Sequence, residues 1–208
     1  MKLKKIYDFL NEISPFDTQE SWDNSGLQVG SLEDEIENIC LCLDVDAALL
    51  ETLSPGTLVV SHHPLIFKGI KSLNTKLYPT NLITTMVKKD ISMIAMHTNA
   101  DKSHLNRYVC EKVLGWEVLK QEDFVCTCAF KGSIEDLVLH LKKRLNMQAL
   151  RVSNAEVNIE KVAVTTGSGG SLLENIEAQC FLTGDIKYHT AMEAISNGLS
   201  LIDIGHFE

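Results

Sequence analysis

The sequence predicts an α/β fold with partly parallel sheets, and three observations predict it. Short apolar runs of strand length recur along the 208 residues. Stretches with helical apolar spacing lie between them. Glycine, proline and asparagine clusters mark the joins. Strands that alternate with helices in this way pack the helices on the faces of a largely parallel sheet.

The elements follow in chain order. Residues 3–13 read as a helix with Leu3, Ile6, Leu10 and Ile13 on one face, and Pro15 stops it. SWDNSGLQVG, residues 21–30, reads as a turn-rich segment with two apolar anchors. Residues 37–43 (ENICLCL) form a strand, DVDAALLETL the helix after it, and residues 57–61 (TLVVS) the next strand. A loop with Pro64, Gly69 and Pro79 leads to a helix near 81–89. The run 91–96 (ISMIAM) passes through HTNA into a helix beginning near Asp101. Residues 116–123 (WEVLKQED) mark a boundary between lobes 1–118 and 119–208. Beyond it come a strand at 124–130, a helix at 133–145 capped by Ser133, and a strand at 161–166 with a glycine cluster after it. Strands at 179–183 and 199–204 flank a helix near 186–197. No repeat and no low-complexity linker interrupts this order.

Composition excludes several function classes. The formal net charge of −9 argues against a duplex binder that works by neutralising phosphates. No apolar run reaches membrane-spanning length. The N-terminal MKLKKIYDFLNEI alternates charged and apolar residues, as an amphipathic helix does and a signal sequence does not, so a cytoplasmic location is expected. The cysteine pairs 40/42 and 126/128 sit in strand-like segments without zinc-knuckle spacing, and all six cysteines read as small buried hydrophobes.

The chemically capable residues follow the apolar runs directly. TLVVS leads into His62 and His63, ISMIAM into His97 and then Asp101, and LSLIDIG into His206. ENICLCL leads into Asp44, and QCFLTG into Asp185. Ligands of open α/β sheets bind beyond the carboxyl ends of the strands, so parallel neighbours would gather these residues in one cleft.

Imidazole and carboxylate at such places are metal-ligand chemistry. Adjacent histidines on extended backbone point apart, so His62 and His63 suit two close ions better than one. The plainer reading of the pair alone is one core histidine and one exposed one. His97 and Asp101 are four apart and can share a helix face, with Asp101 otherwise a helix cap. His97 is a ligand or a group that orients one. Gly205 allows close backbone approach before His206, and Glu208 is a further candidate ligand. Three strand-end clusters together supply the nitrogen and oxygen mixture that a two-metal site needs.

These segments also carry a resemblance. SWDNSGLQVG, VVSHHPLIF, HTNAD, GSGGSLL, LTGDIKYH and IDIGHFE occur in the order seen in the Nif-three-like family, often labelled GTP cyclohydrolase I type 2 homologues. The likeness runs from about Trp22 to the last residue. It implies a three-layer α/β fold of two interlocked lobes, here over 1–208 without the central insert domain of larger members. It implies a ring-shaped homohexamer and a centre of two divalent ions, for which zinc, iron, manganese or nickel all suit the ligand types. The family's ligands fall on His62, His63, Asp101 and His206, with His97 beside the metals. A bridging glutamate is expected four residues after His206, at position 210, past the residues given; Glu208 is not its match.

Two further segments bear on substrate. The turn at Gly167–Ser171 can cradle a phosphate on its backbone N–H groups, with Gly169 and Ser171 as contacts, or the glycines serve tight turning alone. In TGDIKYH, Lys187 can hold a phosphate and His189 can act as acid or base, or the segment is a solvated helix start capped by Asp185. Trp22 and Asn24 are read as fixing a loop. The leading function is a dinuclear-metal hydrolase acting on a small molecule, and the family label makes that a nucleotide attacked at guanine C8, with His97 or His189 moving protons. Phosphoester or amide hydrolysis at the same metals is an alternative, and a non-catalytic metal-binding or regulatory scaffold is another.

Overall fold

Two mixed sheets carry the strands of the computed structural model, which describes residues 1–155 and 158–207. Each sheet belongs to its own compact unit, Met1–Ser103 and His104–Glu208.

The first unit opens with helix α1 (Leu3–Ile13), where Leu3 is fully buried and Ile6 and Leu10 pack beside it. Ile13, expected on the same face, is 43% exposed because the helix ends there. Then follow β1 (Gly26–Val29), β2 (Asn38–Cys42), α2 (Ala47–Thr52), β3 (Thr57–Ser61), α3 (Thr80–Lys88), β4 (Ile91–Ala95) and α4 (Thr98–Ala100). The strand order is β1-β4-β3-β2; β2, β3 and β4 are parallel and β1 is antiparallel to β4.

Alternation along the strands sends side chains to opposite faces. Val59 and Met93 pack with Leu50 of α2 and Leu82, Ile83 and Met86 of α3. Leu58 and Ile94 pack on the other face with Leu3 of α1 and Phe16. Each such fully buried leucine contributes about 1.5–3 kcal/mol of transfer free energy.

The helix expected to begin near Asp101 starts three residues earlier, at Thr98, with His97 at its cap position. It widens to π-type winding over Asp101–Leu105. The two units divide within this turn, at Ser103 and His104. The stretch 116–123, read from sequence as a boundary, lies inside the second unit. Trp116 packs on that unit's core and stacks on His140 at 5.2 Å.

The second unit holds α5 (Asn106–Tyr108), β5 (Val118–Glu122), β6 (Val125–Gly132), α6 (Ile134–Leu145), β7 (Arg151–Ser153), β8 (Ile159–Val164), β9 (Cys180–Thr183), α7 (Tyr188–Ser196) and β10 (Ser200–Asp203). Its six strands run β5-β6-β8-β9-β10-β7, with β8, β9 and β10 parallel and the outer pairs antiparallel. Ser133 caps α6 as expected, in a reciprocal capping box with Asp136. Leu137 and Leu141 of α6 cover one sheet face with Val162 and Leu182. Phe181, Leu201 and Ala194 of α7 form the layer on the other. Helices therefore lie on both faces of each sheet, as the α/β reading requires.

Four of the cysteines, Cys110, Cys126, Cys128 and Cys180, are the buried small hydrophobes expected; Cys40 and Cys42, on edge strand β2, are only half-buried, and all six are unbridged. Burial pushes the Cys180 thiol up to about 12, which keeps it protonated and inert.

Candidate metal centre

The parallel ladder of the first unit explains why its histidines meet. Cys42 pairs with Ser61, and Ser61 with Ala95, so the three strands end level. The ladder runs on for a step or two: His62 N donates to Cys42 O at 3.0 Å, His63 N to Leu43 O at 3.0 Å, and Met96 N to Ser61 O at 2.8 Å. Asp44, His62, His63 and His97 therefore emerge side by side at the carboxyl edge.

His62, His63 and His97 present ligand nitrogens all within 4.8 Å of one another, and the three residues are half-buried. Ring centroids lie 4.9 Å apart for His62 and His63, 5.3 Å for His62 and His97, and 5.6 Å for His63 and His97. The adjacent histidines do not point apart, because the chain bends at His62 and His63 just past β3, where the Ser61 hydroxyl donates to His63 O at 2.8 Å. Asp101 joins them, with Oδ1 3.6 Å from His62 Nε2. Two ligand atoms about 2 Å from one tetrahedral ion lie about 3.3 Å apart, so this pair has the spacing of co-ligands. A nitrogen-rich cluster with one carboxylate fits a borderline divalent ion.

An oxygen acceptor on Nδ1 fixes each ring. His62 Nδ1 is 2.9 Å from Met96 O, His63 Nδ1 is 2.9 Å from Asp44 Oδ1, and His97 Nδ1 is 2.7 Å from Asp23 Oδ1. A carbonyl or carboxylate oxygen only accepts, so Nδ1 carries the proton and Nε2 the lone pair. That is the tautomer a metal takes, and it is how ligating histidines are oriented.

Asp23 escaped the sequence reading. Its side chain is fully buried, and it accepts from His97 Nδ1, from Thr98 N at 3.1 Å, from the Thr98 hydroxyl and from Ser25 Oγ at 3.0 Å. Burial alone would raise its pKa, but the hydrogen bonds from His97 and Thr98 outweigh burial and hold the carboxyl well below the ordinary range. The only sequence signal was its place in SWDNSG, where an aspartate in a turn is commonplace. Of the two aspartates after β2, Asp46 caps α2 through Leu49 N at 2.7 Å, while Asp44 holds His63.

The second unit repeats the strand-end device on a different sheet. Asp203 of β10 pairs with Thr183 of β9, and the residues beyond them, Asp185 and His206, meet at 2.7 Å through His206 Nδ1. Asp185 is thus a histidine holder rather than a helix cap; Lys187 occupies the cap position of α7. Gly205 does approach closely: a Cβ on Gly184 would fall 2.2 Å from Gly205 O, and one on Gly167 would meet His206 Nε2 at 3.6 Å. Gly169 donates its N–H to Thr183 Oγ1 at 2.7 Å, and a Cβ there would sit 2.7 Å from the same oxygen, so its glycine serves packing. Ser171 is exposed in a short 3₁₀ turn, Gly170–Asn175. Lys187 is exposed, and so is His189, whose ring lies edge-on to Tyr188 at 5.3 Å. Glu208 lies outside the described residues.

A model of the family described as Duf34/NIF3 (NGG1p interacting factor 3) matches residues 1–208. The chain belongs to the Duf34/NIF3 family. Among curated relatives, it is 49% identical to a Campylobacter jejuni protein named GTP cyclohydrolase 1 type 2 homolog, over all of this chain and 87% of that one. It is 39% identical to a Helicobacter pylori protein named GTP cyclohydrolase 1 type 2, over 99% of this chain and 85% of that one. The solved structure of a hypothetical protein from Staphylococcus aureus superposes with a TM-score of 0.88 at 27% identity, covering 99% of this chain and 86% of that one. Within this Duf34/NIF3 chain the SHHP, HTNAD and SWDNSG segments are the ones that build the histidine cluster. No helix among the described residues is long and apolar enough to cross a membrane.

Proposed function

We propose that this chain is a metal-dependent hydrolase with a centre of two divalent ions, acting on a guanine nucleotide by water attack at C8. The observation that carries the reading is the cluster of His62, His63 and His97 beside Asp101, with every ring fixed through Nδ1. Bound ions would supply Lewis acidity and a water acidic enough to act near neutral pH. His62, His63 and Asp101 hold the ions. We retain His206 as a ligand on the resemblance and on its hydrogen bond to Asp185.

His97 moves the proton. Its Nε2 carries the lone pair, and the Asp23 carboxylate behind Nδ1 stabilises the imidazolium once Nε2 accepts. The names of the C. jejuni and H. pylori relatives support the choice of substrate. The ring-shaped homohexamer and the cytoplasmic location remain part of this proposal.

The test is formate release from GTP by metal-loaded protein. Release above a His63→Ala control is the expected result. Equal release from both, or none from either, overturns the cyclohydrolase reading. Elemental analysis should find two equivalents of metal per chain.

A further inference from the structure

Trp22 and Phe67 are 57% and 43% exposed, yet they lie side by side with ring centroids 5.9 Å apart. Both stand edge-on to His97, at 6.2 and 6.3 Å. Among the described residues, neither belongs to the core clusters of the first unit. Exposed aromatic rings gathered around a chemically equipped histidine are an unusual use of apolar surface.

Their placement is enforced. Asn24 Nδ2 donates to Ile66 O at 2.6 Å, and Gln28 Oε1 accepts from Ile66 N at 3.0 Å. Gln28 Nε2 also donates to Asn24 O at 2.6 Å. Both backbone groups of Ile66 are thus gripped from the SWDNSGLQ segment, which sets Phe67 beside Trp22. Asp23, between Trp22 and Asn24, ties the same segment to His97 at 2.7 Å. The backbone that carries both rings is fixed by these hydrogen bonds, which reduces the ordering cost of binding.

Phe67 also lines a cavity of about 420 Å³, within the size range of small-molecule sites. Lys68 and Lys71 line it, and no carboxylate does among its described lining residues. In a chain of net charge −9, a cavity whose charges are all positive selects an anion.

We propose that Trp22 and Phe67 seat a flat heteroaromatic ring beside His97, while Lys68 and Lys71 receive the phosphate tail of the same ligand, a nucleotide. The inference rests on the proposed function only for guanine as the probe. A base stacks on an aromatic side chain through its π-face, and removing one such ring costs roughly tenfold or more in affinity. Trp22 and Phe67 meet the ring of His97, the proton carrier of the proposed function, so their removal leaves the proposed ligands His62, His63 and Asp101 in place.

The chain has two tryptophans, and Trp116 packs in the second unit. In a Trp116→Phe background, Trp22 fluorescence reports on its own ring face. Metal-loaded protein is titrated with GTP, guanosine and tripolyphosphate. GTP and guanosine should quench saturably, and tripolyphosphate should not. By calorimetry, Trp22→Leu and Phe67→Leu should each weaken guanosine by about tenfold with metal content unchanged. Lys68→Ala with Lys71→Ala should weaken GTP and leave guanosine as it was. Unchanged guanosine affinity in both ring variants overturns the seat, as does a changed sedimentation coefficient with unchanged affinity, which would make the rings a contact between copies. GTP binding with these losses but no formate release keeps the seat and overturns the hydrolase. Formate release with an unchanged KM for GTP in Phe67→Leu does the reverse.

Discussion

His97 donates from Nδ1 to the fully buried carboxylate of Asp23 at 2.7 Å. The bond ties a loop before β1 to the end of β4 and sets the tautomer of the His97 ring. Five donors, from His97, Ser25, the Asn24 backbone and both the backbone and hydroxyl of Thr98, converge on that one carboxylate, so an amide in its place must turn its NH2 toward at least one of them. Asp23→Asn should lower stability by about 1–3 kcal/mol, the cost of buried groups left unpaired. Chemical denaturation at pH 7 measures it. The Asp23 pKa is depressed in the fold, so its contribution is present above the ordinary value of 3.8 and fades as pH falls through the lower folded value. The gap between wild type and variant should therefore close in acid; a gap that widens there would refute the assignment.

Asp44 is 62% exposed and holds His63 Nδ1 at 2.9 Å. Asp44→Ala should leave the fold intact, because little packing is lost. It should weaken metal binding by about 10–100-fold, the usual effect of removing a group that orients a ligand histidine. Competition against a chromophoric chelator reads this directly.

His62 and Asp101 approach within 3.6 Å with little exposure, 17% and 13% for their side chains. His62→Ala and Asp101→Ala should each strip metal from protein purified in metal-replete medium, as elemental analysis would show. His206→Ala tests the remaining ligand in the same way, and full occupancy in that variant would remove His206 from the set.

Gly184 has no room for a side chain, since a Cβ would lie 2.2 Å from Gly205 O and 3.1 Å from Gly167 O. Backbone cannot swing aside as a side chain can. Gly184→Ala should destabilise the protein by about 1–3 kcal/mol or more, the range for overpacking. Thermal melting measures it, and a Gly198→Ala control, whose Cβ meets nothing within 4 Å but sits at φ +73, separates crowding from backbone strain.

Much of the fold was legible because apolar patterning reports burial. Strands β2, β3, β4, β6, β8, β9 and β10 fall within a few residues of their apolar runs. The strands not read, β1, β5 and β7, are all sheet edges. Edge β2 keeps an apolar run in NICLC, but polar residues break the other edge strands, GLQV, VLKQE and RVS, as a half-wet edge permits. GLQV in SWDNSGLQVG and VLKQE in WEVLKQED consequently read as turn and boundary.

The sequence by itself determined which chemical groups stand at strand ends: His62, His63, His97, Asp101 and His206, each placed by the apolar run or turn before it. It did so because a strand's end is a local property of pattern. Only the tertiary structure decided which oxygen holds which ring. Asp23 and His97 are 74 residues apart, and Asp44 and His63 are 19 apart. Those pairings follow from parallel register and from the path of the 21–30 loop, and neither is encoded in any window short enough to read.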